Sequence, residues 1–159
     1  MTVRTPMTVD GHRKLQEELM RLKGEERQKA VRAIEEARAH GDLSENAEYD
    51  AAKNAQGLLE GRIRDLEAKL STAQVVDVTT LGGDKVIFGA TVRFADIDSG
   101  DERTVTIVGE EEGDVERGLI SYSSPLARAL IGKRVDDIAK VVLPAGEREY
   151  EILEVSFSR

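Results

Sequence analysis

Apolar residues recur at three- and four-residue steps from Thr8 to Ala73, and beyond Asp77 they alternate with polar ones. The first spacing lines one stripe of an α-helix and the second lines one face of a β-strand, so the two halves demand different architectures. Leu15, Leu19, Leu22, Ala30, Ile34 and Ala37 make a first helical stripe. After His40-Gly41-Asp42-Leu43-Ser44, a second runs through Ala52, Ala55, Leu59, Ile63, Leu66, Leu70 and Ala73. A break of a few residues between two such helices turns them antiparallel, and near-heptad steps on both predict a coiled-coil hairpin that buries the two stripes together. Arms of about 30 residues would reach roughly 45 Å at 1.5 Å per residue, far longer than a compact domain requires. The polar run Lys23-Gly24-Glu25-Glu26 interrupts the first stripe, which predicts looser packing or a bend at that point.

In the second half, alternation with β-branched residues predicts strands over residues 85–94, 103–108, 140–143 and 149–157. Asp98-Ser99-Gly100-Asp101 and Pro144-Ala145-Gly146 mark turns. Residues 124–132 predict a short helix, with Ser124 as N-cap, Pro125 at the first position and Gly132 beyond the end. The expected fold is therefore α+β. An N-terminal antiparallel α-helical coiled-coil hairpin occupies residues 1–78 with an acidic tip at 41–46, and a small antiparallel α+β domain occupies 79–159. Leu81-Gly82-Gly83-Asp84 is the expected linker, and no internal repeat or low-complexity tract is evident.

Composition closes several function classes. At 159 residues and 40% hydrophobic the chain has enough apolar material for one ordinary domain or two small ones. Without Cys there is no disulfide framework, thiol nucleophile or Cys-based zinc site, and His12 and His40 alone leave little for a histidine metal centre. No apolar run approaches a membrane span and the first residues lack a signal-peptide layout, so a cytoplasmic protein with no membrane partner is expected. The net charge of −8 argues against holding nucleic acid by general phosphate attraction. The charge is unevenly placed: residues 1–78 hold 13 basic and 15 acidic side chains, against 10 and 16 in residues 79–159.

The hairpin tip holds the most informative residues. Asp42 and Glu45 sit where the chain reverses, at the end of arms that carry them far from the rest of the molecule. Spacing alone favours a structural role, in which Gly41 ends the first helix and Asp42 with Glu45 opens the second in the manner of a capping box. Two carboxylates are also the ligand type that Mg²⁺ prefers, but two are too few to build a magnesium site unaided.

The run from Glu35 to Lys53, with Gly41-Asp42-Leu43-Ser44-Glu45-Asn46 at its centre, resembles the tip signature of the bacterial transcript cleavage factors, the GreA/GreB family. Further segments resemble that family in the same order: Pro6-Met7-Thr8, Glu60-Gly61-Arg62-Ile63, Leu66-Glu67-Ala68-Lys69-Leu70, residues 86–92 and residues 124–133. The likeness thus covers nearly the whole chain. It implies that the second domain is FKBP-like and that the protein docks on bacterial RNA polymerase. The hairpin would enter the secondary channel and stimulate the polymerase's own hydrolysis of the nascent RNA 3′ end in backtracked complexes. The protein would then be an activator rather than an independent nuclease.

By the same resemblance, Asp42 and Glu45 are the catalytic carboxylates and ligands of a Mg²⁺ shared with the polymerase, bound only in the complex. Ser44 and Asn46 orient water or RNA, or simply cap the helix. Arg38 and Lys53 match the family's basic patch and would bind phosphates of the extruded RNA, although lone helix-surface cations are usually just solvated. Ser124, Pro125 and Leu126 lie in the region that docks on the polymerase, while sequence physics reads them as a helix start. A monomer in solution is expected. One branch of the family carries a larger basic patch, which the near-neutral first half does not support. Inhibitory relatives replace the tip with a different acidic cluster, whereas the run from Gly41 to Asn46 is intact. The alternative is a non-catalytic adaptor or inhibitor that occupies the channel with Asp42 and Glu45 as caps. An FKBP-like fold also raises prolyl isomerase activity, but Phe88, Phe94, Tyr122, Tyr150 and Phe157 fall mostly at alternating strand positions, which predicts core rather than a ring-lined pocket.

Overall fold

The computed structural model describes residues 4–39 and 47–157. These form two compact units, one made of residues 12–39 and 47–73, the other of residues 4–11 and 74–157. The elements run β1 (Thr5–Thr8), α1 (Val9–Arg21), a π-helical turn (Leu22–Glu26), α2 (Arg27–Ala39), α3 (Ala47–Ser71) and β2 (Ala73–Val76). Then come β3 (Thr91–Asp96), β4 (Glu102–Val108), β5 (Leu119–Ser121), α4 (Pro125–Leu130), β6 (Ile138–Leu143) and β7 (Gly146–Ser156), with 3₁₀ turns at Val78–Thr80, Glu110–Glu112 and Val115–Arg117.

In the first unit, α2 and α3 pack as an antiparallel hairpin. Lys23 pairs with Glu67, Arg27 with Glu60, and Arg38 stacks on Tyr49, so partners retreat along α3 as the first arm advances. Leu15, Leu22, Ile34 and Ala37 are buried from one arm, and Ile63 and Leu66 from the other. Burial of Ile63 and Leu66 stabilises the hairpin by about 1.5–3 kcal/mol each. Every residue of the predicted stripes is buried or half-buried except Ala55, whose place is taken by Gln56.

The π turn falls on the interrupted stretch of the first stripe. Leu22 and Ala30 are eight residues apart, more than two α-helical turns hold, and the seam would rotate away from α3 if the helix stayed regular. The wider turn absorbs the surplus: the N–H of Arg27 reaches back five residues to the carbonyl of Leu22. The arm continues helically on both sides of it.

In the second unit, five strands form one sheet in the order β5-β4-β3-β7-β6. It is antiparallel apart from the β4–β5 pair, which runs parallel. Val92 and Phe94 of β3, Val105 and Ile107 of β4, Ala139 of β6 and Ile152 of β7 point to one face, where Ala127 and Leu130 of α4 cover them. A bulge between Arg93 and Phe94 shifts the β3–β7 register. Phe94 meets Tyr150 edge-on at 4.8 Å, so these two rings are part of the core.

Three segments depart from the sequence reading. β5 is a strand that the reading did not place, and its parallel pairing with β4 departs from the antiparallel domain expected. Residues 85–90 make no strand beyond a single bridge from Lys85 to Arg134. Instead the chain turns through Gly89, whose φ of +89° and close approach to Val78 both exclude a side chain. At the other end, Thr8, where the helical spacing begins, closes a strand of residues 5–8 that pairs with β2, a strand that the spacing did not predict. Met7 is buried on it.

Candidate functional site

The two arms converge on the tip, where α2 ends at Ala39 and α3 begins at Ala47. Asp42, Ser44, Glu45 and Asn46 lie outside the described residues, as does the proposed capping geometry of Gly41 and Asp42. What the structure supplies is the pair of arm ends that flank them.

Arg38 lies in the last turn of α2, where a cation suits the helix dipole, and Glu48 and Asp50 lie in the first turn of α3, where carboxylates do. The Arg38 guanidinium carbon sits 5.8 Å from the centroid of the Tyr49 ring, within cation–π range. Hydrogen bonding to Arg38, first, and the nearby charges of Arg38 and Lys53 hold the Tyr49 phenol below its ordinary pKa, with desolvation and then Asp50 opposing. Lys53 is four residues beyond Tyr49 on α3, hence one turn along the same face. The structure therefore brings Arg38 and Lys53, named from sequence, around a third residue that sequence reasoning missed. The signal was present: Tyr49 is half-buried at the helix spacing that precedes Lys53, and it is the only aromatic residue of the first 87.

Away from the tip, the hairpin surface is laced with ion pairs. Arg27 holds Glu60 in a two-pronged contact at 2.9 and 2.6 Å, which raises the pKa of the arginine and lowers that of the carboxylate. Arg62 grips Glu18 in the same way at 3.0 Å. Such pairs between half-exposed side chains fix register as well as adding modest stability. A groove of about 380 Å³ along the first arm is lined by Lys23, Arg27, Gln28, Val31, Arg32 and Glu35, and two of its cations are already engaged by Glu67 and Glu60.

In the second unit, Ser124 is the N-cap of α4: its hydroxyl accepts from the N–H of Ala127 at 3.3 Å, and Pro125 occupies the first turn. Pro125 is exposed, while Leu126 packs against the core. The helix-start reading of this segment is what the structure displays.

No group of three or more His, Cys, Asp or Glu side chains able to hold a metal ion occurs among the described residues. As a donor set, Asp42 and Glu45 fit Mg²⁺ in kind, since both are hard oxygen ligands, but fill only part of its octahedral shell. Nor is any described helix long and apolar enough to cross a membrane.

Comparison with known proteins matches both units. Residues 5–75 fit the family model for the N-terminal domain of GreA/GreB transcription elongation factors, and residues 81–157 fit the model for their C-terminal domain. The transcription elongation factor GreA of Hyphomonas neptunium is 58% identical over 154 residues, 97% of this chain and 98% of its own. That of Alkalilimnicola ehrlichii is 56% identical over 156 residues, 98% and 99% of the two chains, and that of Trichlorobacter lovleyi 55% over 157 residues, 99% of each. Among solved structures, the GreA factor homolog Gfh1 of Thermus thermophilus is 29% identical over 96% of this chain and 99% of its own, with a TM-score of 0.45. With both domain models matched in order and full-length relatives above half identity, this chain belongs to the GreA/GreB family of transcription elongation factors.

Proposed function

We propose that this protein rescues backtracked transcription complexes by entering the secondary channel of bacterial RNA polymerase and stimulating hydrolysis of the extruded RNA 3′ end. The observation that carries this reading is the intact Gly41-Asp42-Leu43-Ser44-Glu45-Asn46 run between arm ends that gather Arg38, Tyr49 and Lys53. An acidic tip flanked by paired cations suits a site where an RNA phosphate must meet a metal.

Asp42 and Glu45 would hold a Mg²⁺ jointly with acidic residues of the polymerase. When bound, that ion supplies charge stabilisation for the phosphodiester and a water of lowered pKa. Because two carboxylates leave the shell incomplete, the active site belongs to the polymerase and this chain is its activator. Arg38 and Lys53 hold phosphates of the extruded RNA, and Ser44 and Asn46 orient water or RNA. The second unit, more acidic than the hairpin, docks on the polymerase through the start of α4 at Ser124, Pro125 and Leu126, of which Pro125 is exposed. The protein acts as a cytoplasmic monomer.

The test is transcript cleavage by stalled, backtracked polymerase with and without the full-length protein. Release of short 3′ fragments that requires the factor supports the proposal. Channel occupancy without any gain in cleavage supports the adaptor reading instead.

A further inference from the structure

We infer that Tyr49 is a positioning residue that ties Arg38 and Lys53 into one two-pronged phosphate site. The inference rests on the proposed reading of those cations as RNA contacts. An arginine at a helix end carries several rotatable bonds, and fixing it for a single phosphate costs conformational entropy on binding. In this structure the guanidinium is already placed. Arg38 leaves α2 one residue before its end, crosses to the other arm and lies over the Tyr49 ring at 5.8 Å. Tyr49 is in the first turn of α3 and is half-buried, which limits the rotamers open to its ring. Lys53, one turn further on, shares the face of α3 from which that ring projects. The depressed phenol pKa, caused by Arg38 and then Lys53, agrees with both cations standing close to the same hydroxyl.

This arrangement has a chemical consequence. The Tyr49 hydroxyl engages only part of the guanidinium, whose five N–H donors leave further donors for an anion. A phosphodiester passing the tip would therefore meet a planar donor edge from one arm and an ammonium from the other. Neither arm alone could present both.

The experiment uses the full-length protein with backtracked polymerase carrying short and long extruded RNA, comparing Tyr49→Ala, Tyr49→Phe, Arg38→Ala and the Arg38→Ala/Tyr49→Ala double variant. Tyr49→Ala is expected to lower cleavage of long extrusions by about two- to fivefold, the range of an exposed cation–π contact. Dinucleotide release should fall less than cleavage of long extrusions, and competition for polymerase should stay nearly unchanged. Tyr49→Phe keeps the ring but loses the hydroxyl that bonds Arg38, and should restore only part of the loss. The double variant should be no worse than Arg38→Ala, because the ring has nothing to hold once the arginine is gone.

Multiplying losses in the double variant, equal losses on both substrates, or a Tyr49→Ala protein that cleaves like wild type would each overturn the inference. If Arg38→Ala itself changes nothing, the reading of Arg38 as an RNA contact fails too. If Arg38→Ala impairs long-RNA cleavage and Tyr49→Ala does not, only the positioning role fails.

Discussion

Glu112 accepts hydrogen bonds from both the backbone N–H and the hydroxyl of Thr8, 104 residues earlier in the chain. The same carboxylate accepts from the N–H of Gly109, and the Thr8 hydroxyl accepts in turn from the N–H of Gly11 at 3.0 Å. Thr8 is thus the N-cap of α1, with an acidic side chain set at the positive end of the helix. Gly11 makes this possible, because a Cβ there would overlap Cδ and Cγ of Glu112.

A double-mutant cycle follows from that geometry. Gly11→Ala displaces the Glu112 carboxylate from its donors and should destabilise the protein by about 1–2 kcal/mol, the cost of losing such bonds. In a Glu112→Ala background the same change should be neutral or stabilising by up to about 1 kcal/mol, since alanine is the better helix former. Chemical denaturation of the four proteins reads the sign reversal. An equal effect of Gly11→Ala in both backgrounds contradicts the account.

Asp96 gives a pH dependence. It is buried at the turn between β3 and β4, where its carboxylate accepts from the N–H groups of Ser99 and Asp98 and from Arg148 at 3.1 Å. These donors, the Ser99 amide foremost, hold its pKa below the ordinary 3.8. A group whose folded pKa is depressed stabilises above its unfolded value and loses that contribution as pH falls through the folded one. Stability should therefore drop below about pH 4, and Asp96→Asn should be less stable at neutral pH with a flatter acid limb. Melting curves from pH 7 to pH 2 measure both. An unchanged acid limb in Asp96→Asn assigns that drop to other carboxylates.

The helical hairpin was legible because burial on one side imposes a spacing that survives in the sequence: Leu15, Leu22, Ile34, Ala37, Ile63 and Leu66 were all placed correctly. The interruption at Lys23-Gly24-Glu25-Glu26 was legible as a fault, though not as a π turn, because the remedy depends on how the arm meets α3. Residues 85–90 were misread since Val86 and Ala90 are buried in an irregular segment, and burial without regular pairing leaves the same apolar trace as a strand. β1 was missed because its pairing with β2 is set by residues some 70 positions away, beyond the reach of local periodicity. At the site, cations were recognisable by charge, whereas the role of Tyr49 depends on the register between two arms.

Gly24 offers a test of the π turn. Nothing lies within 4 Å of where its Cβ would be, so Gly24→Ala meets no clash and should stabilise the hairpin by about 0.5–1 kcal/mol through lower unfolded-chain entropy. Helical circular dichroism against temperature reads this directly. Destabilisation would mean that the turn depends on backbone freedom that alanine lacks.

Reversing charge at both Arg38 and Lys53, as Arg38→Glu with Lys53→Glu, should impair cleavage of long extruded transcripts more than dinucleotide release, since longer RNA offers more phosphates. The disparity should shrink as salt is raised. An equal loss on both substrates at every salt concentration would place these cations in folding or docking.

The central claim is that the tip carboxylates supply ligands rather than caps, and a magnesium titration of transcript cleavage with Asp42→Asn and Glu45→Gln tests it most directly. Asparagine caps a helix about as well as aspartate, so Asp42→Asn should leave stability and polymerase binding nearly unchanged. Loss of one ligand should still lower factor-dependent cleavage at least about tenfold, equivalent to roughly 1.4 kcal/mol in the barrier, with part recovered at high Mg²⁺ or with Mn²⁺. If both variants bind and cleave like wild type across the whole titration, the carboxylates are caps and the metal-lending mechanism is wrong.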